Sequence, residues 1–157
     1  MGEPWMDAEV RGGRVVLVTD NVLSQAISSF AAVLGRESIL LNADALDWLR
    51  SPDNVRTDDG IVLCDHDAPD VAAVLDAALA CSATFVGMVG SPNRAASVFA
   101  DYRERGYTEQ QLQKLYVPVG LRLGGRSATE MGLSIIAQIV SLAYGKDGGP
   151  MKRSNPV

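Results

Sequence analysis

Short apolar runs alternate along the chain with segments in which apolar residues recur every three or four positions. The runs predict five strands, at 14–18, 38–42, 60–64, 83–89 and, more briefly, 116–120. The helically spaced segments lie between them and include 22–34, 71–79 and 128–144. Strands without polar alternation, each followed by a helix, are typical of a parallel sheet covered on both faces. The pattern predicts a doubly wound, mostly parallel, Rossmann-like α/β fold, in which ligands sit at the carboxyl ends of the strands.

Residues with known preferences for helix ends support these boundaries. Ser91 is suited to the N-cap position and Pro92 to the first helical position. Pro69 stands where another helix could begin. The pairs Thr108/Gln111 and Ser127/Glu130 have capping-box spacing, and Gly35 and Gly145 can end helices.

Length and composition indicate one domain. With 157 residues, the chain divides into an N-terminal extension at 1–13, a Rossmann-like domain at 14–145 and a mobile tail at 146–157. No apolar run reaches membrane-spanning length and the N-terminus lacks the pattern of a secretory signal, so we expect no membrane association and a cytoplasmic location.

Charge and cysteine content exclude two further classes. The net charge of −5 argues against a nucleic-acid partner, which would require a basic face. Cys64 and Cys81 have no ligand-like spacing, and the single histidine does not complete a zinc site with them. We expect free thiols and no metal held by protein ligands alone, with Cys64 a small buried residue.

The first loop, "VTDNVLS", occupies the place where a dinucleotide fold carries GxGxxG. Thr19, Asp20 and Asn21 are polar and could form a remodelled ligand loop. The alternative is a plain turn in which Asp20 or Asn21 caps the following helix, and this interpretation is favoured because an aspartate would repel phosphate. Asn42 or Asp44, after the second strand, could bind a ribose hydroxyl, or Asp44 could cap the next turn.

The third strand ends in the loop Asp65-His66-Asp67, which brings the only imidazole to the expected cleft. His66 could move protons or bind a ligand with Asp67 orienting it, and these two residues are the catalytic candidates. The alternative is an exposed turn before a helix.

Two glycine-containing helix starts are candidate anion sites. At Gly90-Ser91 the missing side chain would let an anion approach the helix N-terminus, and Arg94 would add charge. Gly87 could belong to the same candidate anion site. The alternative is that the absence of a side chain at Gly87 lets a helix pack closely on its strand. Gly125-Arg126 precedes the last helix, where the guanidinium could bind a phosphate or carboxylate.

Several ordered motifs resemble one family. "FVGMVGS", "RERGYTEQQLQKLYVPVGLRLGG" and "TEMGLSIIAQIVSLAYG" are similar to the C-terminal Rossmann-like domain of XdhC/CoxF accessory proteins, over about 59–145. "VLCDHDAPDVAAVL" resembles the family's T-H-D-x-x-x-D segment, with His66 and Asp70 as counterparts. The resemblance implies the fold, and a role in maturing molybdenum hydroxylases such as xanthine dehydrogenase.

The chain departs from the family pattern at four places. The usual G-A-G-H-V-G loop is replaced by residues 19–24, and the basic stretch after Gly-Ser is reduced to 92–94. In the family's H-x-P-x-G-L-D-I-G segment, Tyr116 replaces the histidine and Arg122 replaces the aspartate. The family's N-terminal domain is also expected to be missing.

Three functions follow from these observations. The leading hypothesis is a non-enzymatic accessory protein that binds molybdenum cofactor, a molybdenum hydroxylase of the xanthine dehydrogenase type, or both. The alternatives are an NAD(P)-dependent oxidoreductase, disfavoured by the missing GxGxxG, and a degenerate interaction module without ligand. A separate chain supplying the XdhC N-terminal domain and a second copy of this chain are further expected partners.

Overall fold

The structure is a computed structural model that describes residues 10–152. The strands are β1 Val15–Val18, β2 Ser38–Leu41, β3 Gly60–Leu63, β4 Phe85–Met88 and β5 Leu115–Tyr116. The helices are α1 Val22–Val33, α2 Ala45–Arg50, α3 Val71–Ala80, α4 Pro92–Glu104, α5 Glu109–Leu112 and α6 Ala128–Ala143.

The five strands form one sheet in the order β2-β1-β3-β4-β5, and every neighbouring pair is parallel. This arrangement confirms the predicted fold class. All residues of β1, β3 and β4 are buried, which explains why these strands lack polar alternation. From β1 the chain crosses to β2 on one side, and the later strands β3, β4 and β5 follow on the other side. The topological switch point, where the direction of winding reverses, therefore lies between β1 and β3.

Successive strand residues point into two different cores. Val16 and Ile61 belong to the core beneath α2, α3 and α4. Val15 and Val62 belong to the opposite core, which Ile27 of α1 and residues of α6 complete. Because each parallel connection crosses one face of the sheet, the N-terminus of every crossover helix lies near the carboxyl ends of the strands.

Most predicted helix caps are present. The Ser91 hydroxyl accepts from the Arg94 amide, with Pro92 as the first residue of α4. Thr108 and Gln111 form a reciprocal capping box at α5. The Ser127 hydroxyl caps α6 by accepting from the Glu130 amide. The predicted capping box is incomplete, because the Glu130 carboxylate accepts a hydrogen bond from the Ser127 hydroxyl and not from the Ser127 amide.

The first four strands lie within one or two residues of their predicted bounds, and two other predicted boundaries differ because of local backbone hydrogen bonding. Pro69 does not begin α3, since a turn from Ala68 to Val71 precedes the helix. The fifth strand is Leu115–Tyr116 rather than 116–120. Pro118 has no N–H to donate to a ladder, and the chain meets β4 again only where the Val119 amide donates to the Met88 carbonyl.

The ends of the chain lie partly outside the described residues. The predicted extension at 1–13 is described only from residue 10, and the predicted tail at 146–157 only to residue 152. Residues 146–152 are exposed and have no helix or strand, and their mobility stays a prediction. Within residues 10–152, no helix has the length and apolar character needed to cross a membrane.

Candidate functional site

The side chain of Asn21 occupies the N-terminus of α1. Its Oδ1 accepts from the amides of Leu23 and Ser24, each at 3.0 Å. The Ser24 hydroxyl accepts from the Asn21 amide at 2.9 Å, which completes a capping box. These amides are the groups that bind a pyrophosphate in a dinucleotide fold. The capping interpretation is confirmed for Asn21, and the helix N-terminus is already satisfied by the protein itself.

Asn21 also closes the switch point between β1 and β3. Its Nδ2 donates to the carbonyl of Cys64, which directly follows β3, at 3.0 Å. The side chain therefore spans the crevice where the ligand of a doubly wound fold normally enters. Nothing in the local sequence signalled this contact, since it joins residues 43 positions apart.

Thr19 adopts a backbone conformation that normally requires glycine. Its φ is 80°, and among residues 10–152 it is the only non-glycine residue with positive φ. For a β-branched residue this conformation is strained. Thr19 stands at the first glycine of the family's G-A-G-H-V-G pattern.

The polar groups after β1 and β2 bind one another. The Asp20 amide donates to Asn42 Oδ1, and the Asn42 amide donates to Asp44 Oδ1, both at 2.9 Å. Asp20 also accepts from Gln25 Nε2 at 3.2 Å. Asp44 precedes α2 but its side chain makes no capping hydrogen bond there, so the capping alternative for Asp44 is wrong.

Cys64 is a buried structural residue, as expected. Its thiol points to the Val62 carbonyl, and burial raises the pKa of the thiol to about 12. The thiol is therefore protonated at neutral pH, whereas a nucleophilic cysteine requires a thiolate. Cys64 and Cys81 are both free. Within residues 10–152, no three His, Cys, Asp or Glu side chains are grouped as metal ligands.

His66, Asp67 and Arg94 form a polar cluster between the ends of β3 and β4. His66 Nε2 lies 3.3 Å from Asp67 Oδ2, and Arg94 Nη2 lies 3.1 Å from Asp67 Oδ1. Asp67 is 74% exposed, so solvent weakens both interactions. The other ring nitrogen of His66, Nδ1, is buried and has no hydrogen-bond partner. The cluster therefore places a guanidinium and an imidazole side by side at the carboxyl edge of the sheet, both in contact with Asp67.

This His66 cluster borders a cavity of about 230 Å³ between α3 and α4. Its walls include Val71, Leu75 and Met88. An apolar wall with a few polar groups at the mouth is typical of a small-molecule site. The cavity lies at the predicted edge of the sheet, and sequence reasoning found its polar rim but not its apolar wall.

Gly90 and Ser91 lie beside this cluster, whereas Gly87 lies in the core. A side chain on Gly90 would come within 3.1 Å of Arg94 Cγ, so glycine leaves the arginine room. Gly87 is buried in β4, and a Cβ there would lie 2.4 Å from Val119 Cγ2. Gly87 therefore permits close packing, but against the loop that follows β5 and not against a helix.

Gly125 and Arg126 lie in the exposed loop before α6. A Cβ on Gly125 would lie 2.4 Å from Glu130 Oε2, so glycine lets the loop fold against that carboxylate. Glu130 places a negative charge in the first turn of α6, where the helix dipole stabilises it. A bound anion would have to share the N-terminus of α6 with the Glu130 carboxylate, which would repel it. In this predicted anion site, Arg126 is therefore a better candidate to contact the anion than the backbone amides of α6.

Comparisons with known proteins agree on the type of domain. The family described as "XdhC Rossmann domain" matches residues 15–139. YqeB, an uncharacterized protein of Escherichia coli (strain K12), is 25% identical over 163 residues, covering 91% of this chain and 30% of YqeB. PaoD of the same organism, a molybdenum cofactor insertion chaperone, is 25% identical over 129 residues, covering 82% of this chain and 40% of PaoD.

A solved structure shares the fold. The crystal structure of a xanthine dehydrogenase from Bacillus halodurans, so described, superposes with a TM-score of 0.69 at 19% identity. The match covers 89% of this chain and 45% of that one. The chain thus spans less than half the length of each of these three proteins.

Proposed function

The chain belongs to the XdhC Rossmann-domain family, and on that premise we propose that it is an accessory protein in the maturation of a molybdenum hydroxylase of the xanthine dehydrogenase type. In this proposal the molybdenum cofactor is cargo that the chain holds and passes on, and the chain is not itself an enzyme. The relative PaoD, a molybdenum cofactor insertion chaperone, supports this role.

One observation carries the choice of binding site. The amides of α1 are occupied by Asn21, while the His66 cluster opens on a cavity. A dinucleotide would have to displace the Asn21 side chain and break three hydrogen bonds. An anionic end group placed beside Arg94 and His66 displaces no capping group of α1. The carboxyl edge of the sheet therefore favours binding of the molybdenum cofactor at the His66 cluster over binding of NAD(P) at the N-terminus of α1.

The residues present fit part of a molybdenum cofactor. Its phosphate is an anion, for which the Arg94 guanidinium is a suitable partner. The cavity of about 230 Å³ is smaller than the roughly 300–1,000 Å³ that encloses a whole drug-sized ligand. The chain would therefore hold one end of the cofactor and leave the remainder exposed, as a protein that hands its cargo over requires.

Each polar residue of the cluster has a distinct part in this proposal. Arg94 would exchange Asp67 for the anionic group, because a doubly charged phosphate attracts the guanidinium more strongly than one exposed carboxylate. Asp67, once released, can hold His66 through Nε2. Ser91 keeps the first turn of α4 fixed so that Arg94 stays at the mouth.

The experiment is a melting series of the purified chain with intact molybdenum cofactor, NAD and NADP at matched concentrations. A ligand present at about 100 times its dissociation constant stabilises the fold by roughly 2.7 kcal/mol, which is a readily measured shift. We expect a shift with the molybdenum cofactor only. Arg94→Ala and His66→Ala should abolish it, while Arg56→Ala, an exposed arginine in the loop before β3, should leave it intact.

Other outcomes would contradict the proposal. A shift with NAD or NADP alone would show that the first loop binds a nucleotide despite Asn21, and would return attention to an oxidoreductase. The absence of any shift, together with no association with a molybdenum hydroxylase, would leave an interaction module without ligand. In that case a chain carrying the family's N-terminal domain, or a second copy of this chain, would be the first partner to test.

A further inference from the structure

Two charged residues are buried between residues 10 and 152, and only one of them has a partner of opposite charge. Asp59 is 1% exposed and forms an ion pair with Arg14 at 2.7 Å. Arg36 is 7% exposed, and no carboxylate of the described residues lies within ion-pair distance of it. A buried charge without a partner is strongly destabilising, and arginine cannot lose its proton to become neutral. Arg36 is therefore a buried cation whose charge the described residues leave unbalanced.

The guanidinium of Arg36 is only partly hydrogen-bonded. Its Nη1 donates to the Gly13 carbonyl at 3.4 Å, and its Nη2 donates to the Arg11 carbonyl. Both acceptors are uncharged, so these bonds do not balance the positive charge. The Nε is buried and has no hydrogen-bond partner. A guanidinium has five N–H donors, and the two carbonyls use only two of them, so donors remain for an anion.

Arg36 lines a cavity of about 460 Å³ at the amino ends of the strands, which we call the Arg36 cavity. Gly60 and Phe85, the first residues of β3 and β4, also line it. The His66 cluster lies at the opposite, carboxyl end of the sheet. The volume is within the roughly 300–1,000 Å³ of small-molecule sites. A side chain on Gly12 would collide with Arg36 Nη1, so glycine leaves space beside the guanidinium.

The walls of the Arg36 cavity are largely apolar and partly aromatic. Phe85 and Tyr116 are stacked, with ring centroids 4.8 Å apart and ring planes at 15°. Ile139 and Leu142 of α6 also line the cavity. Leu142 is 36% exposed, which places it at the mouth. Such walls favour a ligand with a flat, apolar body.

The carboxylates beside the cavity limit the charge of the ligand. Asp59 lines the cavity but is neutralised by Arg14, whose Nε and Nη2 both donate to it. Asp58 also lines the cavity and is exposed, and no described residue gives its carboxylate a hydrogen bond or an ion pair. Arg36 and Asp58 together leave the cavity without net charge. A doubly charged phosphate would be repelled by Asp58 more strongly than a single carboxylate would.

We propose that the Arg36 cavity binds a small monocarboxylate with a flat, apolar body. The carboxylate accepts hydrogen bonds from the free N–H groups of Arg36 and balances its charge, which is a strong pairing for a guanidinium. The apolar body packs against Phe85 and Tyr116, where it is removed from water. This site is independent of the proposed function, because neither His66 nor Arg94 lines the cavity.

The test is a thermal melt of the purified chain with benzoate, phenylacetate, benzamide or inorganic phosphate, each at about 10 mM and at matched ionic strength. That concentration nearly saturates a site with a dissociation constant of about 1 mM. Benzoate or phenylacetate should raise Tm, and titration should give a saturable dissociation constant. Benzamide has the shape of benzoate without its charge and should give no shift. Phosphate should give a smaller shift than benzoate.

Substitutions around the cavity should change benzoate affinity in opposite directions. Arg36→Met removes the charge and should abolish the benzoate shift. Asp58→Asn removes the repelling carboxylate from an exposed position and should tighten benzoate binding by about two- to fivefold at low salt. Leu142→Asp adds a negative charge at the mouth and should weaken binding by a similar factor, whereas Leu142→Asn, of the same size, should weaken it less. The Asp58 and Leu142 variants decide the question if the Arg36→Met chain does not fold.

Arg94→Ala is the matched control, since Arg94 is an arginine of the His66 cluster at the other end of the sheet. It should keep the benzoate shift. If Arg94→Ala abolishes the shift while Arg36→Met retains it, benzoate binds the His66 cluster and the Arg36 cavity is not its site. The inference is also overturned by no shift with either carboxylate, by an equal shift with benzamide, or by a benzoate affinity unchanged in both Asp58→Asn and Leu142→Asp. None of these results decides whether the molybdenum cofactor binds, which its own melting series tests.

Discussion

Replacing Asn21 by alanine should destabilise the chain more than removal of an ordinary helix cap does. Asn21 Oδ1 accepts hydrogen bonds from two backbone amides of α1, and Asn21 Nδ2 donates one to the Cys64 carbonyl across the switch point. Alanine can do neither. The cap and the bridge are therefore lost together in this one variant.

The magnitude follows from the two kinds of contact. Loss of an asparagine cap costs about 1 kcal/mol. Leaving a buried carbonyl without its donor costs about 1–3 kcal/mol, and Cys64 is 4% exposed. The sum is about 2–4 kcal/mol, which lowers Tm by roughly 5–15 °C in a chain of this size. We expect α1 to keep its place, because Ile27 is fully buried beneath it.

The assay is urea unfolding of the Asn21→Ala chain beside two matched variants. Ser91→Ala removes a cap that accepts one amide and bridges nothing, so it should lower the free energy of unfolding by about 1 kcal/mol. Asn21→Asp keeps an oxygen that can cap α1 but loses the donor to Cys64. It should fall between the other two variants.

Equal losses for Asn21→Ala and Ser91→Ala would refute the reasoning. That result would mean that the bridge to Cys64 contributes nothing to stability. The crevice between β1 and β3 would then be held closed by the strands themselves, and Asn21 would be an ordinary cap with no particular bearing on ligand entry.

Three further substitutions have defined directions. Thr19→Gly should raise Tm by a few degrees in a thermal melt, because it relieves about 1–2 kcal/mol of strain at positive φ and outweighs the entropy that glycine adds to the unfolded chain. Gly87→Ala should cost about 1–3 kcal/mol in urea unfolding through its clash with Val119, and the added change Val119→Ala should recover much of the loss. Burial acts to raise the pKa of Asp76, but hydrogen bonds from Arg105 and Tyr102 outweigh burial, so the pKa is lowered. The Asp76 carboxylate therefore stabilises the fold above about pH 4, and this stabilisation is lost on further acidification. Asp76→Asn should therefore destabilise the chain at pH 7 and much less at pH 3, as compared by urea unfolding at both values.

The sheet could be predicted from the sequence because its signals are local. Strands such as β1 and β3 are uninterrupted apolar runs, and a strand buried on both faces needs no partner to be recognised. The caps Ser91 and Ser127 were equally visible, since each accepts an amide three residues along the chain. Short-range chemistry in the sequence is therefore enough to locate these strands and helix starts.

The candidate site was predictable only in its parts. His66 and Arg94 could each be assigned to the carboxyl edge, but the carboxylate of Asp67 that links them joins loops 27 residues apart. The role of Gly87 was uncertain because its neighbour Val119 lies 32 positions further along the chain. Periodicity and spacing contain no information on such distant pairs, which depend on how the loops settle over the finished sheet.

The conformation of Thr19 bears on how readily this domain could acquire another ligand. The turn after β1 already has, at Thr19, the positive φ that the first glycine of a dinucleotide-binding loop provides. The crevice is filled by the side chain of Asn21, and Ser24 lies at the closely packed third glycine position, 1% exposed. Three side-chain replacements, at positions 19, 21 and 24, would create the glycine pattern and would remove the Asn21 cap and its bridge to Cys64. Laboratory selection for nucleotide binding should therefore begin at these three codons.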